Sequence, residues 1–207
     1  MKTLLIKSII LIVLSFNVSI FAKGNDSLNY AISFNYYRDL SDTYGGGGLF
    51  SGEFTIYKSW YGAGINYGHF HSEYTFLFKV PYDEIGQILE IPIQEMTSMQ
   101  IGTLSGFLRP IQKKWIAVDL IFGVGFGKAQ NIYIKNIDYS YNLDENRFTY
   151  LYRDYQLVKK THFGYQVGLN ISIYVLPKIG LQLSSRIQDL SNGGTFFFVG
   201  AGLCFRL

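Results

Sequence analysis

One cysteine, four prolines, two tryptophans and three histidines are all that 207 residues contain of these types. Cys204 on its own cannot close an internal disulfide, so no cross-linked scaffold underlies the fold. Charge is also sparse, since Asp, Glu, Lys and Arg together make up 16% of the chain. Setting aside Lys2 and Lys7 of the N-terminal segment leaves 16 basic residues against 15 acidic ones, a net of +1. A near-neutral chain lacks the electrostatic footprint of a nucleic-acid-binding protein. After the N-terminus no segment keeps a sustained helical stripe, which excludes an α-helical architecture.

What the chain has instead is tyrosine, phenylalanine and glycine, at 17, 17 and 22 residues. Few prolines with many aromatics and glycines suit strands and tight barrels. Residues 1–22, MKTLLIKSIILIVLSFNVSIFA, carry an early basic pair, a short apolar core and a small-residue exit. That order predicts a secretory signal peptide, leaving residues 23–207 as one exported domain.

Alternation runs through that domain. In FGYQVGLNISIYV, residues 163–175, the odd positions are all apolar or aromatic, and the even ones are Gly, Gln, Asn, Ser and a single Tyr. Unbroken period two over this length predicts a strand with two unlike faces. The same split recurs in WIAVDLIFGVGFG and FFFVGAGLCFRL. Eight strands are predicted, near 29–38, 48–58, 60–71, 96–109, 113–127, 161–175, 179–189 and 195–207. Their polar faces are mostly small and neutral, with Glu53, Asp119, Arg186 and Arg206 nearly the only charges. A solvated face would carry many more lysines and glutamates. The expected fold is therefore all-β, an eight-stranded antiparallel up-and-down barrel turned inside out, its Phe/Ile/Val/Leu ribs against hydrocarbon and its glycine-and-amide ribs lining a narrow bore. Strands of ~10 residues, tilted ~40°, span about 25 Å. Trp60, Tyr61, Tyr67, Tyr165 and Tyr174 are expected to form the interfacial girdle. Short links (KSWY, PIQK, LPKI) alternate with longer ones, as periplasmic turns and external loops do in bacterial outer-membrane barrels.

On these strands and links, and on the alternating aromatic final strand at 197–207, the chain resembles the small outer-membrane barrels of the OmpA-transmembrane-domain and OmpX type. It also looks like the generic outer-membrane β-barrel family that includes PorT-like proteins. The resemblance implies residence in the bacterial outer membrane, outer-membrane lipids as surroundings, and delivery by the barrel-assembly machinery. It also implies a lumenal charge network, which Glu53, Asp119 and Arg186 would supply, since buried charges must find partners.

Three local motifs raise chemical questions. GHFHSEY, residues 68–74, holds two histidines, a serine and a glutamate. On a strand His69 and His71 face the lipid while Ser72 faces the bore, so they cannot form a nucleophile–base pair. His69, His71 and Glu73 remain a candidate rim site for a metal or a lipid headgroup. GVGFGK and TYGGGGLF lack the strand–turn–helix setting of a phosphate loop. No catalytic residue, cofactor or structural metal is expected. Residues 131–158 still alternate, in two Tyr-rich arms, and predict a hairpin fin above the membrane. Residues 72–95 are expected to do likewise. Exposed strand edges there invite β-augmentation by a partner. The functional expectation is a non-enzymatic surface protein serving envelope integrity or the binding of extracellular partners. The alternatives are an accessory to a secretion system, a lipid A-modifying enzyme, or a narrow channel.

Overall fold

A computed structural model describes residues 28–41, 46–81, 88–142, 144–145 and 147–207. The expected signal peptide, most of the TYGG segment at 43–46 and residues 82–87 of the expected second fin lie outside the described residues. Eight strands follow one another in chain order: β1 Asn29–Asp39, β2 Gly48–Lys58, β3 Tyr61–Pro81, β4 Ile88–Gln112, β5 Ile116–Asn142, β6 Arg147–Tyr174, β7 Ile179–Leu190 and β8 Gly194–Arg206. Each is antiparallel to its neighbours, and β1 pairs with β8 to close the barrel. Closure leaves no free edge inside the membrane, where an unpaired backbone group would cost several kcal/mol.

The alternation fixes which side chain faces where. On β5 Phe122, Val124 and Phe126 are exposed on the outside, while Ala117, Asp119 and Ile121 are buried within. From Ile116 to Phe126 the outward row is apolar over ten steps, which at ~3.3 Å per residue and a ~40° tilt gives a belt about 25 Å tall. Phe34, Ile65, Leu104, Val167, Leu183 and Leu203 continue that belt around the other strands. In water so wide an apolar surface would drive aggregation; against acyl chains it is the solvated state.

Two expectations are corrected here. Tyr174 is not part of the girdle; it points into the bore, is 8% exposed, and lies under the Arg206 guanidinium at 3.3 Å. Its even position on β6 puts it on the lumenal row with Ser172 and Asn170. The residues PIQ of the expected fourth link stay in β4, where a register shift between Leu108 and Ile111 absorbs the irregularity. The turn there is Lys113–Lys114–Trp115 instead.

Four strands run far beyond the belt. β3 pairs with β4 up to Pro81↔Ile88, and β5 with β6 up to Asn142↔Arg147, so both expected fins are present as hairpins. The β4–β5 ladder ends at Met96↔Ile132. Above that point the two hairpins separate and lie face to face. Ile91 and Ile93 of β4 are buried between them, with Phe76, Ile134, Tyr139 and Phe148 packed around. A register shift between Ile134 and Asn136 turns Ile137 and Tyr139 toward this second core. The β5–β6 ribbon extends about 33 Å beyond the last β4 pair at ~3.3 Å per residue.

Candidate functional site

Inside the barrel the side chains form three layers. At the arm-bearing end Phe70, Phe196 and Phe198 fill the bore and are fully buried. The Phe196 and Phe198 rings stack at 5.4 Å, and Phe70 meets both edge-on at 5.4 and 6.0 Å. Tyr37, Met99 and Leu190 complete this aromatic plug. The strand pattern explains it: Phe196 and Phe198 occupy even positions of β8 and so share the inward row with Cys204. The expectation of a bore lined throughout by glycine and amides therefore fails over this layer, where the inward row is apolar as well as the outward one.

Below the plug lies a polar layer. Arg186 Nη2 donates to Glu53 Oε2, with both side chains at most 4% exposed. Around them Asn35 Nδ2 donates to Gln182 Oε1 at 3.3 Å, Asn66 Nδ2 to Ser51 Oγ at 3.2 Å and Ser184 Oγ to Asn170 Oδ1 at 2.7 Å. Nearer the short turns Arg109 makes a bidentate bond to Asp119, from Nε at 2.6 Å and from Nη2 at 3.0 Å. The Arg109 guanidinium also sits 4.0 Å above the Tyr57 ring. Glu53, Asp119 and Arg186 are thus all inside, as members of two ion pairs, Arg186–Glu53 and Arg109–Asp119. Arg109 is the partner that sequence reading overlooked. It lay at the predicted end of its strand, and its inward parity with Phe107 and Ser105 was the available signal. A small cavity between the pairs is lined by Glu53, Arg109, Asp119, Tyr174 and Cys204, among others.

The rim candidates lie on the outer surface, above the belt. His71 Nε2 is 3.3 Å from Glu73 Oε1, and Gln94 Nε2 donates to Glu73 Oε2 at 3.2 Å. His69 lies instead 3.4 Å, Nε2 to Oγ, from Ser98 of β4. A serine does stand beside a histidine here, across the strands rather than along one, because Ser98 pairs with His71 and is diagonal to His69. The carboxylate, however, contacts the other histidine, so the three groups form two separate contacts and not a relay. Among the described residues no group of three or more His, Cys, Asp or Glu is placed to hold a metal ion.

The arms offer an open face of different character. Opposite its packed side the β5–β6 ribbon exposes Tyr133, Tyr150 and Tyr152. Tyr133 Oη donates to Gln156 Oε1 at 3.3 Å and Asn136 Nδ2 to Asp138 Oδ1 at 3.1 Å, so polar groups are interspersed. The Lys135 and Asp154 side chains approach to 3.6 Å.

No protein-family model matches the sequence, and none of the curated proteins matches it. Solved structures do match the fold. The chain superposes on neisserial surface protein A with a TM-score of 0.55 and 10% identity, over 87% of this chain and 99% of that one. It superposes on Ail, the attachment invasion locus protein of Yersinia pestis, crystallised with the heparin analogue sucrose octasulfate. That match has a TM-score of 0.50 and 11% identity, over 87% and 97% of the two chains. The shared property at these identities is the fold, that of the small eight-stranded outer-membrane β-barrels.

Proposed function

We propose that this chain is a non-enzymatic outer-membrane surface protein whose barrel anchors a two-hairpin platform for binding an extracellular partner. One observation carries the reading: the arms have a hydrophobic core of their own, with Ile91 and Ile93 buried well outside the belt. Ordering a loop costs roughly 1–2 kcal/mol per residue in backbone entropy, and a connection that merely varies has no packed interior to offset it. A core held above the membrane presents a fixed face, and here that face is rich in tyrosine. Tyrosine offers large contact area at small entropic cost and is enriched at binding surfaces.

The interior supports the same reading. Two buried ion pairs beneath three packed phenylalanines favour an anchor over a channel. Glu73 on His71 rather than His69 favours a binding surface over a hydrolase.

The test compares cells displaying the full chain with cells displaying a chain whose residues 73–96 and 129–160 are replaced by short turns. Adhesion is scored on immobilised extracellular-matrix proteins and glycans, with heat-modified gel mobility as the control for an intact barrel. The full chain should adhere to at least one surface and the trimmed barrel to none. Equal behaviour of the two on every surface overturns the proposal.

A further inference from the structure

Charge is distributed unevenly between the two ends of the barrel. Apart from Glu53 and Asp119, both buried in ion pairs, the carboxylates on the described strands lie toward the arm-bearing end, among them Asp39, Glu73, Glu90, Glu95, Asp138, Asp154 and Asp189. The short-turn end is the opposite. Its three turns and the strand end that enters the first of them hold Lys58, the last residue of β2, and Lys113, Lys114 and Lys178, and no acidic residue. Both tryptophans of the chain sit beside these lysines, Trp60 at 42% exposure and Trp115 at 58%.

The turns are also held in place. Arg109 N donates to Trp60 O at 2.6 Å, and Tyr174 N to Trp115 O at 2.8 Å. Lys178 O accepts from Arg206 N at 2.8 Å, and Lys114 O accepts from Arg206 Nη1 at 3.3 Å. Each turn backbone is therefore tied to a neighbouring strand, and its lysines project from a fixed ring. Ser59 adopts φ of 50°, a left-handed conformation that makes the first turn tight. Tryptophan settles at the level of lipid headgroups, which puts the lysines at the depth of the phosphates.

We propose that this lysine–tryptophan collar binds anionic phospholipid headgroups in the leaflet at the short-turn end. The occupant is a lipid and not a soluble polyanion, because the collar continues directly into the apolar belt, where Tyr61, Leu108, Ile173 and Ile179 are exposed for the same lipid's acyl chains. A basic residue near an anionic surface contributes attraction equivalent to about five-fold in partitioning.

The full chain is reconstituted into phosphatidylcholine vesicles carrying spin-labelled phosphatidylglycerol or phosphatidylcholine, and the bound fraction is read by electron paramagnetic resonance. Phosphatidylglycerol should be enriched at the barrel about five-fold or more at low salt. Glutamine at Lys58, Lys113, Lys114 and Lys178 should abolish the preference, and arginine at the same four positions should keep it. Glutamine at Lys79, Lys135, Lys159 and Lys160 of the arm-bearing end should leave it unchanged. If the first glutamine variant fails to fold, a salt series on the unmodified protein decides, since 0.5 M salt shortens the screening length to a few ångströms and should remove most of the enrichment. No preference in the unmodified protein, a salt-insensitive one, or loss on changing the arm lysines instead overturns the proposal.

Discussion

Replacing Glu53 by Gln should destabilise the barrel far more than its size suggests. The side chain changes by one atom type, so packing is untouched and the loss is electrostatic. Arg186 would keep its charge at 4% side-chain exposure, with Tyr37 5.2 Å away as its remaining close partner. Two unit charges about 4 Å apart attract by about 4 kcal/mol at an effective dielectric of 20. Stranding one of them in a buried site costs about 3–5 kcal/mol. Arg186→Gln should cost a similar amount by stranding Glu53. The double variant Glu53→Gln/Arg186→Gln leaves two amides able to bond to each other and should cost no more than about 1–2 kcal/mol, because the desolvation penalty disappears with both charges. The coupling between the two sites would then exceed ~3 kcal/mol, well above the scatter of non-additivity between independent positions. Urea unfolding in lipid vesicles, followed by tryptophan fluorescence and gel mobility, measures all three variants. A Glu53→Gln protein within ~1 kcal/mol of the parent, or a double variant equal to the sum of the singles, refutes the argument.

Asp119→Asn should behave like Glu53→Gln, costing about 3–5 kcal/mol through Arg109, and the same unfolding assay reads it. Alanine at Phe70, Phe196 and Phe198 together should remove the plug; planar-bilayer recordings should show little conductance in the parent and a rise in the variant, at a stability cost of about 3–5 kcal/mol per ring. Ile93→Asp buries a charge in the arm core and should expose the arms to protease while the heat-modified mobility of the barrel stays as before. Alanine at His69, His71 and Ser98 should leave the lipid A mass spectrum of the host unchanged; an altered acyl pattern would establish catalysis at the rim.

Most of the fold was legible because its signal is repeated eight times. Residues 163–175 alternate without a fault, and β6 runs through them with Phe163, Tyr165 and Val167 outward and Gln166, Asn170 and Ser172 inward. The scarcity of charge on the inner rows, with Glu53, Asp119 and Arg186 as isolated exceptions, told which face met lipid. The interior pairing was less legible, since strand parity shows that Asp119 points inward but not what meets it. Arg109 and Asp119 lie on adjacent strands beside the Leu108/Ile111 register shift, and only the paired ladder brings them together. The plug was hidden for a related reason. Phe70 and Phe198 were visible on the polar rows as isolated exceptions, and their convergence depends on how β3 and β8 face each other across the bore. Ser98 beside His69 is the third case, a cross-strand neighbour separated by 29 residues.

The arms show where a partner would gain most by docking. β7 pairs with β6 only from Gly164 onward, so the backbone of residues 147–162 has no ladder partner on that side among the described residues. A bare edge of this length is an aggregation template, and the chain blunts it with Arg147, Arg153, Asp154, Lys159 and Lys160. Charges spaced along an edge must be desolvated or matched before a foreign strand can pair there, which opposes the β-augmentation that the tyrosine-rich pattern suggested. On the tyrosine face the charges already have partners, Asp138 with Asn136 and Asp154 with Lys135. Tyr150 and Tyr152 are already half-exposed and supported from behind by the Ile91–Ile93 core, so contact there buries aromatic area on a fixed support. The same tyrosines that make the edge look inviting in the sequence are better placed, in three dimensions, to bind through their rings.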